Sequence, residues 1–206
     1  MVQTDIFTGE RGDEFERHIR HLLELGRIKP KYIDALTTVS AMAEYAKAFT
    51  AQTAHPTDNY ERYEHIGDVT INKFIVWYAY RRFPQLECCE GVKVVARLRI
   101  NYGAKEFLGG LAETHGFWPF ISAANTGIER NVYYRSRNRV DLLEDCMEAF
   151  IGCTEYLIDR LFRPGAGYAI VYDILKTMYD AIDISLAYDA LYDAKTRLKE
   201  TFDMFK

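Results

Sequence analysis

The sequence predicts an all-α bundle with short loops, and three observations predict it. Punctuation is sparse, with five prolines in 206 residues. The Val and Ile residues sit among helix formers and do not alternate with polar residues as strands would. Two long stretches, around 60–82 and 138–160, combine apolar residues with acids at helical spacing. At this length the chain is one domain, or one domain with appendages, large enough to bury a core.

The elements follow in chain order. A charged first helix is expected over 13–25 and a second over 30–50, where Pro30 occupies a first turn that tolerates it. The helix at 60–82 carries its acids early, runs into Phe74-Ile75-Val76-Trp77-Tyr78, and is stopped by Pro84 after Arg81-Arg82-Phe83. Further helices are expected at 90–101, 103–115 and 117–123. In the helix at 138–160, apolar residues between Leu142 and Cys153 run almost all round the axis, the pattern of a buried element. Helices at 166–180 and 183–202 complete the bundle.

Nearly half the residues are apolar and about a quarter are charged, a globular balance. No apolar run approaches the ~18 residues of a spanning helix, so no membrane partner is expected. Residues 1–14 are polar and acidic, unlike a secretory leader. The net charge of −4 argues mildly against nucleic acid, although a sum says little about local patches. Cys88 and Cys89 are adjacent, and Cys146 and Cys153 lie seven apart on one helix, roughly 10 Å along its axis. Reduced thiols in a cytosol-like, cytoplasmic compartment are the expectation.

Most of the chemistry lies in two acidic segments. Tyr60-Glu61-Arg62-Tyr63-Glu64-His65-Ile66-Gly67-Asp68-Val69 places acids at 61, 64 and 68, and spacings of three and four stack side chains on one helix face. About 80 residues further on, Asp145 and Glu148 share a face of the apolar helix. An acidic stripe usually faces solvent, but an all-round apolar helix turns its acids into protein. Buried carboxylates repel one another and resist ionisation unless a cation holds them. All-oxygen donors favour a hard cation such as Mg2+ or Mn2+.

Two other metal chemistries lack their residues. A di-iron bundle requires Glu-x-x-His, and the positions three before the histidines are Phe15, His18, Gln52, Arg62 and Ala112. A histidine–aspartate hydrolase requires a His-Asp dipeptide, which does not occur. His18-x-x-His21 lies on the charged first helix without an acidic or cysteine partner pattern, so it reads as surface or packing.

These residues match a known pattern. Glu61-Arg62-Tyr63-Glu64-His65-Ile66-Gly67-Asp68 resembles E-R-L-E-F-L-G-D, the signature of the ribonuclease III endonuclease domain. Leu143-Glu144-Asp145-Cys146-Met147-Glu148-Ala149-Phe150-Ile151-Gly152 resembles its second motif, L-A-D-x-x-E-A-L-I-G. Ala35-Leu36-Thr37-Thr38, Tyr80-Arg81-Arg82-Phe83-Pro84 and Ala96-Arg97-Leu98-Arg99 also resemble family segments. The resemblance implies an N-terminal helical extension at 1–27, the endonuclease helical bundle at 28–202 and a tail at 203–206.

It also implies an activity: metal-dependent hydrolysis of double-stranded RNA, leaving 5′-phosphate and 3′-hydroxyl staggered ends. Glu64, Asp68, Asp145 and Glu148 match the metal ligands, and Glu61 matches a supporting acid. A pair of Mg2+ ions, replaceable by Mn2+, about 3.5–4 Å apart would activate water and stabilise the leaving oxygen. RNA contact is expected from the basic, tyrosine-interleaved stretch 130–139, through Arg135, Arg137 and Arg139. A second patch comprises Lys93, Arg97, Arg99 and Lys105.

A homodimer is implied too, with His65 standing where the family inserts an aromatic into its partner. Val69-Thr70 replaces a small residue and Val. The stretch Tyr192 to Glu200 resembles the one leading to a double-stranded-RNA-binding domain, which is expected to be absent from this chain. The alternative function, a non-catalytic RNA-binding or scaffold protein of the same fold, predicts loss of a metal carboxylate, and all four are present. An unrelated helical interaction domain would require both motifs to be coincidence.

Overall fold

The computed structural model describes residues 5–125, 134–192 and 194–203. Within them, α1 (Asp13–Glu24), α2 (Pro30–Leu36), α3 (Val39–Ala48), α4 (Glu61–Arg82), α5 (Gly91–Tyr102), α6 (Lys105–Thr114), α7 (Tyr134–Arg137), α8 (Arg139–Leu161), α9 (Gly167–Asp180), α10 (Tyr188–Leu191) and α11 (Ala194–Asp203) form an all-α bundle. The expected fold class is the observed one.

Three expected helices differ in detail. The segment 30–50 is two helices, because Thr38 caps α3 by accepting the Ala41 N–H at 3.4 Å. Thr37 turns its hydroxyl back to the Ile33 carbonyl at 2.9 Å, closing α2. Residues 117–123 hold only a 3-10 turn at Trp118–Phe120 before the chain extends. The last expected helix divides into α10 and α11.

The extended pieces make a sheet too small to read from alternation. Strand β1 (Ile6–Phe7) pairs antiparallel with β2 (Ala123–Ala124), in the register Ile6 to Ala124 and Phe7 to Ala123. Arg11 fastens the same corner, donating to the Phe120 carbonyl at 2.7 Å and the Ser122 hydroxyl at 3.0 Å.

Helix α8 is the axis of the core. Leu142, Leu143, Cys146, Met147, Phe150, Ile151, Cys153, Leu157 and Ile158 are all buried, so it is enclosed on every side. It packs against α3, α4, α6 and α9, and its contact with α4 is the most extensive in the molecule. Phe15, Ile19, Leu22 and Leu23 of α1 enter the same core, so packing runs across the division at residue 27.

Where α4 crosses α8, glycine is a requirement. A Cβ on Gly67 would stand 1.8 Å from the Glu148 carbonyl oxygen, and one on Gly152 would stand 2.0 Å from the Tyr63 carbonyl oxygen. The two backbones touch there, with no room for even a methyl group.

Candidate active site

The glycine crossing sets the acids of two helices against each other. Helix α4 supplies Glu64 and Asp68, one turn apart and flanking Gly67, while α8 supplies Asp145 and Glu148. Glu148 is 7% exposed, Glu64 and Asp145 are half-buried, and Asp68 is exposed. Glu61 lies exposed in the first turn of α4.

Burial and mutual repulsion have the expected electrostatic effect. Glu148 is pushed up to about 8, first by burial and then by the charges of Asp68, Glu144, Glu64 and Asp145. Glu64 rises to about 7, by burial and then by Asp145 and Glu61. Burial also raises Asp145, although the Tyr60 hydroxyl opposes the rise. Glu144 belongs to the same group: it is half-buried and lifted to about 7 by burial and by Asp145. Sequence reasoning did not select Glu144, because a single extra acid on a helix ordinarily faces water.

None of Glu64, Asp68, Asp145 and Glu148 has a Lys, Arg or His ion-pair partner among the described residues. Two are held by neutral donors. The Tyr60 hydroxyl donates to Asp145 Oδ2 at 2.5 Å, and Asn72 Nδ2 donates to Asp68 Oδ1 at 2.6 Å. No group of three His, Cys, Asp or Glu among the described residues is gathered closely enough to hold an ion. The expected metal cage is therefore not preformed. Asp145 and Asp68 are engaged instead by Tyr60 and Asn72. The donor set nevertheless fits a hard divalent cation: it is all-oxygen, substantially buried, and short of positive charge.

The expected RNA contacts divide. Arg135 is 9% exposed, with its guanidinium between the rings of Phe7 at 3.8 Å and Trp118 at 3.7 Å. Its Nη2 donates to the Trp118 carbonyl at 2.8 Å. Arg135, expected to meet phosphate, is engaged here by the indole, the phenyl ring and the carbonyl. Arg139 lies over Trp118 at 4.2 Å and grips both carboxylate oxygens of Glu113. Arg137 is exposed. Residues 130–133 of the same stretch lie outside the described residues.

In the second patch, Arg97 stacks on Tyr192 at 4.6 Å and Arg99 donates to Asn72 Oδ1 at 2.9 Å. Lys105 pairs with Asp141, and Lys93 is exposed. His65, expected at a dimer seam, is exposed on α4, as is Val69 one turn later, at 59%.

Comparison with known proteins agrees with this arrangement. Residues 61–156 match a family model described as the Ribonuclease III domain. A protein of Invertebrate iridescent virus 6, named "Putative ribonuclease 3", is 42% identical over 207 residues, covering 95% of this chain and 68% of its own length. A protein of the same name from Frog virus 3 (isolate Goorha) is 40% identical over 180 residues, covering 87% of this chain but 46% of its own. The fold matches the nuclease domain of a Campylobacter jejuni ribonuclease III with a TM-score of 0.55 at 19% identity, over 81% of this chain and 98% of that one.

Proposed function

Because the chain belongs to the ribonuclease III family, we propose that it is a divalent-metal-dependent endoribonuclease that cuts double-stranded RNA. The observation that carries the proposal is the meeting of acids from α4 and α8 at the glycine crossing, with Glu148 buried and Glu64 and Asp145 half-buried, without a cationic partner among the described residues. Glu64, Asp68, Asp145 and Glu148 would hold Mg2+, or Mn2+ in its place. Bound there, the metal would lower the pKa of water and neutralise charge developing on the leaving oxygen.

The protein's own residues do the rest. Burial of Glu148 strengthens the charge interactions it makes with its neighbours. Water attacks phosphorus and the P–O3′ bond breaks, giving a 5′-phosphate and a 3′-hydroxyl. Exposed Arg137, together with Arg139 and Arg97, would meet the phosphate backbone. Recognition through backbone and 2′-hydroxyl groups suits an A-form duplex, whose base edges lie in a deep, narrow groove.

Cutting both strands with a stagger calls for two such sites on a two-fold axis, hence a homodimer. The Campylobacter jejuni domain is named for flexibility in a region involved in its dimer formation. Here, exposed His65 and Val69 stand beside the carboxylates on α4 and would form the seam.

The test is cleavage of a long RNA duplex by the purified chain. Mg2+-dependent cleavage that EDTA abolishes, with duplex DNA spared, is expected. Duplex binding without any cleavage would overturn the enzymatic reading in favour of a scaffold.

A further inference from the structure

The geometry points to Tyr60 and Asn72 as positioning residues, each aiming one carboxylate of the proposed metal site, one on each helix. The inference rests on the nuclease reading above and deepens it. It begins with an asymmetry: of the four acids, Asp145 and Asp68 each receive a side-chain hydrogen bond from an uncharged donor.

Tyr60 immediately precedes α4, yet its hydroxyl reaches across to α8 and donates to Asp145 Oδ2 at 2.5 Å. It is firmly seated. The residue is 7% exposed, its ring belongs to the main core, and its N–H donates to the Thr50 carbonyl at 2.9 Å. The turn that presents the acids of α4 therefore also fixes the facing acid of α8. Asn72 lies one turn beyond Asp68. Its Nδ2 donates to Asp68 Oδ1 at 2.6 Å and to the Asp68 carbonyl at 2.9 Å. Its Oδ1 accepts from Arg99 Nη1 of α5 at 2.9 Å, which fixes the amide's orientation. Arg99 thus meets Asp68 only through a neutral amide.

Each donor takes up one named carboxylate oxygen, Oδ2 of Asp145 and Oδ1 of Asp68. Hydrogen-bond donors outside a ligand shell commonly set ligand orientation in this way, and their loss typically costs about 10–100-fold in metal affinity or activity. The competing role is purely structural: the same bonds could serve only to satisfy polar groups, and their loss would then lower the melting temperature alone.

The two roles separate in a Mn2+ titration of the full chain without RNA, with free Mn2+ followed by electron paramagnetic resonance. Tyr60→Phe deletes the hydroxyl and keeps the ring. Asn72→Ala deletes the amide. Glu148→Gln serves as the reference for a lost ligand. We expect Mn2+ to bind the wild-type chain, to be weakened strongly by Glu148→Gln, and to be weakened about 10-fold by each positioning variant. Cleavage by the positioning variants should recover as Mn2+ is raised.

Wild-type Mn2+ affinity in Tyr60→Phe and Asn72→Ala, beside a weakened Glu148→Gln, would overturn the positioning roles and leave the nuclease reading intact. Equal binding by wild type and Glu148→Gln would overturn the metal-site assignment itself. If Tyr60→Phe alone proves unstable, the Asp145→Asn background decides. There a hydroxyl acting through Asp145 has no further effect on Mn2+ affinity, whereas a second tenfold loss overturns the route through Asp145.

Discussion

Glu148 sits 7% exposed among Met147, Ala149 and Phe150, facing the acids of α4. Replacement by glutamine keeps its shape and removes its charge. Cleavage by Glu148→Gln should fall by ~10^3-fold or more, about 4 kcal/mol of barrier, while duplex RNA binding in Ca2+ stays near wild type. Near-normal Mg2+-dependent cleavage would sink the role of Glu148 as a metal ligand. The arginines make the second residue-scale prediction. Replacing Arg137 and Arg139 by Ala should weaken RNA binding and flatten its salt dependence by about one unit of slope per lost phosphate contact. Arg135→Ala should instead lower the melting temperature, since its guanidinium joins Phe7 to Trp118. Sequence alone could not separate these arginines: a basic, tyrosine-rich stretch reads the same whether a guanidinium faces phosphate or an indole. The spacing of Glu64, Asp68, Asp145 and Glu148 was legible, because periods of three and four fix a shared helix face whatever surrounds it. Tyr60 was not, because its partner lies 85 residues away.

At the scale of elements, the site depends on how closely α4 and α8 approach. Gly152→Ala places a methyl group against the Tyr63 carbonyl, where 2.0 Å is available, and must push the helices apart. The expected cost is about 1–3 kcal/mol of stability, or more. The separation also predicts weakened Mg2+ binding, because Glu64 moves away from Glu148. Thermal melts with and without Mg2+ measure both effects, and an unchanged melting temperature together with unchanged Mg2+ stabilisation would remove the crossing from the account. The two long helices were readable from apolar runs and the stop at Pro84. The break at Thr37-Thr38 was not, because the hydrophobic pattern continues through it and only the cap interrupts the backbone. The β1–β2 pair escaped for a simpler reason: two-residue strands are too short to show alternation.

Across the whole molecule, stability responds to acid in two opposite ways. Burial, then His21 and His115, lowers His18 to about 4, and its Nε2 is buried without a hydrogen-bond partner among the described residues. The ring stacks on Phe120 at 4.4 Å and meets Phe49 and Phe117 edge-on. The unfolded chain takes up this proton near pH 6.5 and the folded chain only near 4, so stability is complete above 6.5 and lost as pH falls toward 4. The slope is at most about 1.4 kcal/mol per pH unit. Glu64, Glu144 and Glu148, raised in the folded state from 4.5, act oppositely: their contribution is full below 4.5 and is lost as pH climbs from there to about 7 to 8. The difference between wild type and His18→Phe isolates the histidine. The variant's advantage should widen below pH 6.5, and a constant difference would exclude the effect. Assembly is tested by sedimentation velocity at pH 5.5 and 7.5 on wild type and His65→Phe. A dimer is expected, and a monomer in every condition would remove the two-strand mechanism. The ring contacts that bury His18 also impose an order in time. Phe15 packs on Phe49 and Phe120, Phe49 on Phe117, and Phe117 on Phe150, while β1 waits for β2. As the chain leaves the ribosome from its N-terminus, the apolar face of α1 is only partly covered, by Phe49 and α2, until residues 117–150 have emerged, and the acids of α4 lack those of α8 until it follows. A nascent chain that pauses before α8 thus holds half of the proposed site and a partly covered aromatic surface, and synthesis through α8 brings the remaining acids and rings.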